Sequence, residues 1–353
     1  MKKLAFLLTL VMTLSLLAGC AGTPVVYYTE CNYCNGLQQD QAQDQAPEAI
    51  VEGAVKTGIA VVGNAADSKD ATEAAFDVTI VGVTVDDNGV IQSCIIDSLG
   101  AKVAFDASGA ITADLSAALA TKNELGENYG MKAYGGAKYE WNEQAAALAS
   151  FAVGKTVDEL KNGAVDESGK APAGSDLAST ATIYLGGYVA AIEKAVANAQ
   201  HLGAQGGDEL KLAVNANVCS SKSAAAEEAG LAQLDCDVAV VTAKDGVITS
   251  CYIDSLQAKV NFDAAGVITT DLSAPMQTKN ELGENYGMVA WAGAIAEWNE
   301  QAASFASYVT GKTADEVAGI AVNEKTAPTE ADLATSVTIA IGGFQALIAK
   351  AMQ

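Results

Sequence analysis

Two short stretches hold the hydroxyl and carboxylate groups best arranged for chemistry, Asp176-Leu177-Ala178-Ser179-Thr180-Ala181-Thr182 and Asp332-Leu333-Ala334-Thr335-Ser336-Val337-Thr338. An acid followed by clustered Ser and Thr is the composition of a helix start, where hydroxyls cap and unpaired N–H groups hold anions such as phosphate. With Ser179 or Thr180 as N-cap, Thr182 would fall in the first helical turn. Gly186, four residues on, would then share its face. The pair Gly186-Gly187 recurs as Gly342-Gly343. A mid-helix glycine costs about 1 kcal/mol relative to Ala, so the pair is expected to clear space for a ligand or a closely packed neighbour. A capped helix alone would also explain the acid and hydroxyls.

A second group lies in a loop that occurs twice without change, Thr121–Met131 and Thr278–Met288. Tyr129, Gly130 and Met131, with Tyr286, Gly287 and Met288, offer an aromatic face, a closely approachable backbone and a soft apolar contact. That set suits a planar ring. Lys122, Asn123 and Glu124, with Asn280 and Glu281 in the second copy, supply hydrogen bonds or shape the turn. Trp141 and Trp298 read as core. The chain has one histidine, His201, which argues against catalytic triads, zinc hydrolysis and haem ligation. Any redox or transfer chemistry would then come from a cofactor. Cys94 and Cys251 sit at strand positions among apolar neighbours, where a buried structural thiol is expected. Cys219 and Cys236 occur only in the second copy and are close enough in sequence to pair in an oxidising compartment.

These groups are positioned by a duplicated domain. Glu140–Ala146 recurs as Glu297–Ala303, 157 positions later, the offset that also relates the two loops and the pair Cys94 and Cys251. In each copy, strands precede a polar loop and then helices. Asp77–Ile96, with the turn Asp87-Asn88-Gly89, and Lys102–Ile111, around Asp106-Ala107-Ser108-Gly109, read as hairpins of a β-meander. Ala137–Val153 and Ser179–Ala199 carry helical periodicity. The expectation is an α+β fold in two tandem copies, residues 53–204 and 205–353, after a leader (1–19) and a flexible spacer (20–52).

The leader has Lys2 and Lys3, an apolar run from Leu4 to Leu17, and Leu17-Ala18-Gly19-Cys20. The run is shorter than the roughly 20 residues a membrane span needs and reads as a signal peptide. Small residues before Cys20 resemble the lipobox of bacterial lipoproteins, which implies lipidation at Cys20 and a membrane-anchored, extracellular location. The Gln- and Asp-rich run 38–45 has too little apolar content to pack. Within the spacer, Cys31 and Cys34 are followed by Asn35, not by the His of haem attachment. Removing Lys2 and Lys3 with the leader leaves 18 basic against 43 acidic residues, a net charge of −25. Nucleic acid is not expected as a partner.

The Asp-to-Thr stretches resemble the FMN-binding domain family, whose motif is Asp, two residues, Ser or Thr, one residue, usually Ala, then Thr. The resemblance implies that a flavin transferase attaches FMN through a phosphoester to the last Thr, here Thr182 and Thr338. It makes Asp176 and Asp332 recognition residues, with Ser179 and Thr335 at the small hydroxyl position. The second copy has Val337 where the motif has Ala. With the repeated loops and the leader, the whole chain is similar to two-domain flavinylated lipoproteins of extracellular electron transfer. That likeness implies two covalent FMN groups, a quinol or membrane dehydrogenase as donor and an extracellular acceptor. It implies a carrier more than a substrate-specific enzyme. A surface module that binds a ligand through the repeated loop, without a cofactor, is the alternative reading.

Overall fold

The computed structural model describes residues 53–353. The leader, Cys20 and the spacer with Cys31 and Cys34 lie outside them. Residues 53–353 fall in one compact unit. The first repeat runs β1 (Lys56–Asn64), β2 (Glu73–Val85), β3 (Ile91–Ala104), α1 (Lys122–Leu125), a 3-10 turn (Gly126–Tyr129), α2 (Met131–Gly135), α3 (Trp141–Ala152), α4 (Val157–Ala164), α5 (Asp176–Thr180) and α6 (Gly186–Ala197). The second repeats this order: β4 (Glu209–Asn217), β5 (Gly230–Lys244), β6 (Val247–Phe262), α7 (Lys279–Leu282), a 3-10 turn (Gly283–Tyr286), α8 (Met288–Ala292), α9 (Trp298–Val309), α10 (Ala314–Ala318), α11 (Ala331–Ala334) and α12 (Gly342–Ala351).

The fold is α+β, with two three-stranded antiparallel meanders ordered β1-β2-β3 and β4-β5-β6. The hairpin expected over Asp77–Ile96 forms between β2 and β3. In its turn Asp86 Oδ1 accepts from the Asn88 and Val90 amides at 2.9 and 2.8 Å, and Gly89 takes φ +80°. The second expected hairpin is reduced to one bridge, Phe105 to Ile111. Its turn is formed, with Asp106 Oδ1 accepting from the Ser108 amide at 2.8 Å, but Lys102 and Val103 already pair with β2.

Alternation along the strands gives each sheet two apolar faces. Ile59, Val61, Phe76, Val78, Ile80 and Leu99 face Val214, Leu234, Val238 and Leu256 of the other sheet in one shared core. Ala60, Val81, Val83 and Ile96 face α3 and α6, while Ala239, Val241 and Ile253 face α9 and α12. The layers are therefore helix, sheet, sheet, helix. Contacts across the centre are reciprocal. Phe105 stacks on Phe262, its own counterpart, with ring centroids 4.0 Å apart and planes 2° from parallel. Lys194 on α6 pairs with Glu281 at 2.6 Å, and Lys350 on α12 pairs with Glu124. Such contacts between equivalent residues define a local two-fold axis. Gly82 lies on this seam, where an added Cβ would come within 2.9 Å of Val240.

Candidate functional site

The helix expected over Ser179–Ala199 is two helices with a non-helical break at 181–185. α5 starts earlier than expected because Ser175 is its N-cap, accepting from the Ala178 amide at 3.1 Å. Ser179 and Thr180 are thus helix-end residues, and their hydroxyls donate back to the Asp176 and Leu177 carbonyls at 2.6 and 3.1 Å. Ala181 leaves the helix at φ −123° and ψ 112°. Thr182 therefore lies in neither helix and shares no helical face with Gly186. Gly186 and Gly187 are not mid-helix either but open α6, in the turn whose amides have no helical acceptor. Thr335 and Ser336 likewise donate to the Asp332 and Leu333 carbonyls at 3.0 and 3.3 Å, and α12 starts at Gly342.

One repeated block joins the segments into a site. Glu140, buried at the N-cap of α3, accepts from the Met131 and Lys132 amides at 2.8 and 3.0 Å. One turn along α3, Gln144 Oε1 accepts from the Thr182 and Ile183 amides at 2.8 and 3.2 Å and from Thr182 Oγ1 at 3.2 Å. Trp141 lies between these anchors, with Nε1 donating to the Tyr188 hydroxyl at 3.0 Å. In the second repeat Glu297 holds Met288 and Val289. Gln301 holds Thr338 and Ile339 with the same three bonds, at 2.8, 3.2 and 3.2 Å. Thr182 and Thr338 are both exposed.

Beside Thr182 opens a cleft of about 390 Å³ lined by Thr79, Lys122, Tyr129, Met131, Trp141, Ile183, Tyr184, Gly187 and Tyr188. The repeated loop, the start of α3 and the start of α6 thus converge on one hollow. The Lys122 ammonium stands 5.2 Å from the Tyr129 and Trp141 ring centres, and Lys279 stands 5.3 and 4.8 Å from Tyr286 and Trp298. These are cation–π distances. A Cβ on Gly187 or on Gly343 would meet open space, whereas one on Gly186 would strike the Tyr184 hydroxyl at 2.6 Å. On Gly342 it would come within 3.1 Å of Thr326. Gly130 and Gly287 adopt φ +81° and +83°, a left-handed conformation suited to glycine.

Of the other polar loop residues, Asn123 and Glu124 build the loop. Asn123 Nδ2 donates to the Ile96 carbonyl at 2.9 Å and its amide to Asp97 Oδ1 at 3.1 Å. Glu124 closes a capping box with Thr121 and pairs with Lys350. Asn280 and Glu281 repeat this on Ile253, Asp254, Thr278 and Lys194. Asp254 is buried, and desolvation pushes its carboxyl up to about 6 against the hydrogen bonds of Thr278, Ser255 and Asn280. Desolvation also raises Asp97. Asp176 and Asp332 sit exposed in the first turns of α5 and α11, away from the cleft lining.

The site contains residues that the sequence reading assigned elsewhere or passed over. Trp141 is buried as expected of core and also lines the cleft. Gln144 and Gln301 were recognisable only as members of the block that recurs at Glu140–Ala146 and Glu297–Ala303. Burial pushes the Cys94 and Cys251 thiols up to about 12. Cys219 and Cys236 are both free thiols, the first exposed and the second buried. Among the described residues no His, Cys, Asp or Glu cluster could hold a metal ion, and no helix is long and apolar enough to cross a membrane. No known protein family, curated protein or solved structure matches the chain.

Proposed function

We propose that this chain is a membrane-anchored extracellular electron carrier bearing two FMN groups, joined by phosphoester bonds to Thr182 and Thr338. One observation carries the reading: in both repeats the last Thr of the Asp-to-Thr motif is exposed and held by three bonds to a buried glutamine. In the first repeat an aromatic cleft adjoins it.

The residues there fit the group. Tyr129, Trp141 and Met131 offer flat and polarisable surfaces for a ring system. Gly187 leaves room, and the Gly187 and Tyr188 amides in the first turn of α6, with the Lys122 ammonium, suit a phosphate, while the Gly186 amide is taken by the Gly169 carbonyl at 3.1 Å. FMN, when bound, supplies the one- and two-electron chemistry that this histidine-poor chain lacks. The protein's part is to fix the hydroxyl, exclude water from one side of the cleft and set the local field. Lipidation at Cys20 would hold both sites beside a membrane quinol or dehydrogenase donor. A covalent cofactor would not be lost outside the cell, where an extracellular acceptor takes the electrons.

The test is production of the chain together with a flavin transferase, followed by denaturing electrophoresis and in-gel flavin fluorescence. Thr182→Ala and Thr338→Ala are each expected to remove about half of the covalent flavin, and the double variant all of it. Absence of attached flavin in the parent, or its survival in the double variant, refutes the proposal.

A further inference from the structure

Each motif contains three hydroxyls, and the structure distinguishes one of them. Ser179 and Thr180 turn back on carbonyls of their own helix, as do Thr335 and Ser336. Thr182 and Thr338 bond to a side chain 38 and 37 residues away in sequence. The amide that receives them is fixed at both ends. Gln144 Nε2 donates to the Tyr139 carbonyl at 3.0 Å and Gln301 Nε2 to the Ala296 carbonyl at 2.8 Å. Both glutamines are buried among apolar residues of α3 and α9. An amide in such a place is costly unless its hydrogen bonds are made.

We propose that Gln144 and Gln301 are positioning residues that select Thr182 and Thr338 as the hydroxyls for phosphoryl transfer. This inference rests on the flavin reading above. Two bonds pin the backbone on either side of the Thr182 side chain, and the third takes the hydroxyl proton as donor. The Oγ1 lone pairs are thereby turned away from Gln144, at an exposed residue. In the transfer, Oγ1 attacks the flavin-side phosphorus of a flavin dinucleotide. The Oγ1–P bond forms, the diphosphate P–O bond breaks, and a nucleoside monophosphate leaves with the electron pair. The hydroxyl proton passes to a base on the transferase, because an amide oxygen does not take a proton at neutral pH. No atom is oxidised or reduced. Holding a nucleophile in its reactive geometry is a large part of what lowers such a barrier.

The experiment uses the full chain carrying Thr338→Ala, so that attachment at Thr182 alone is followed. The purified protein is mixed with transferase and a flavin dinucleotide, and adduct formation is timed by intact mass. Gln144→Met keeps the size and removes the acceptor. It is expected to slow attachment at saturating transferase at least tenfold, to leave the half-saturating transferase concentration within threefold, and to move part of the adduct to Ser179 or Thr180 in peptide maps. An unchanged saturated rate with all adduct at Thr182 overturns the inference while leaving the flavin reading intact. If the parent takes no flavin, the flavin reading itself fails and this inference with it. Should Gln144→Met fail to fold, Gln144→Asn decides by the same criteria, since it withdraws the acceptor by one methylene and keeps the amide.

Discussion

Asp254 offers a quantitative test of how the candidate site is held. The residue is 4 % exposed, and its carboxylate accepts from the Ser255 and Asn280 amides at 2.8 and 3.2 Å, tying the 278–288 loop to β6. Burial raises it to about 6, against about 3.9 for a free Asp. A raised carboxyl binds its proton more tightly in the folded than in the unfolded state. Its contribution is therefore greatest below about pH 4 and is lost as pH rises through 6. Two pH units at 1.36 kcal/mol each put the loss at about 3 kcal/mol. Asp254→Asn keeps an acceptor for both amides and does not ionise. Urea unfolding at pH 4 and pH 7 should show the variant gaining about 3 kcal/mol on the parent between the two. Comparing the pair removes the opposite slopes of surface carboxylates such as Asp106 and Asp271, which hydrogen bonds from Ser108 and Ser273 hold below the usual range. A parent-to-variant difference that stays constant from pH 4 to pH 7 refutes the reasoning.

Other substitutions probe packing and charge. Gly58→Ala would set a Cβ 2.1 Å from the Ala195 carbonyl oxygen, so thermal or urea unfolding should show a loss of at least about 2 kcal/mol; near-parental stability would contradict the close approach of β1 and α6. Phe105→Ala removes a fully buried ring and half of the stack at the two-fold axis, and the same measurement should show a loss of about 3–5 kcal/mol. Tyr188→Phe leaves Trp141 Nε1 without its acceptor, with an expected cost of about 1–3 kcal/mol and a shift in tryptophan fluorescence. If flavin is attached, the net negative charge of the chain, −23, disfavours reduction to an anionic flavin. Potentials should then rise as added salt screens the field, and a redox titration flat with ionic strength would count against this.

Much of the architecture was readable because it is written locally. Asp87-Asn88-Gly89 specifies a turn, alternation specifies its flanking strands, and the 157-residue offset reveals the duplication. The helix break at Thr182 was not readable. Ala181, Leu185, Val189 and Ile192 are all buried, so apolar spacing continues through a segment that is not helical. What interrupts the helix is Gln144, which takes the two amides of Thr182 and Ile183 that a continuous helix would bond to its preceding turn. Nothing near Thr182 in sequence encodes that. The second expected hairpin failed for a related reason. Its turn chemistry at Asp106 was right, but β3 spent its pairing on β2 as far as Ala104. Trp141 proved to be both core and cleft wall: it is buried in the apolar cluster of α3 and also lines the hollow.

The two-fold axis through the Phe105 and Phe262 rings bears on how the halves can change. A chain with a single repeat would leave its inner sheet face uncovered, and because the contacts are reciprocal, its fitting partner would be a second copy of itself. Two copies of one gene product must carry identical sites. Joining them in one chain makes their association independent of concentration and lets one site vary while the other is kept. That divergence is already present: Tyr184 and Tyr188 in the first repeat stand opposite Ala340 and Phe344 in the second.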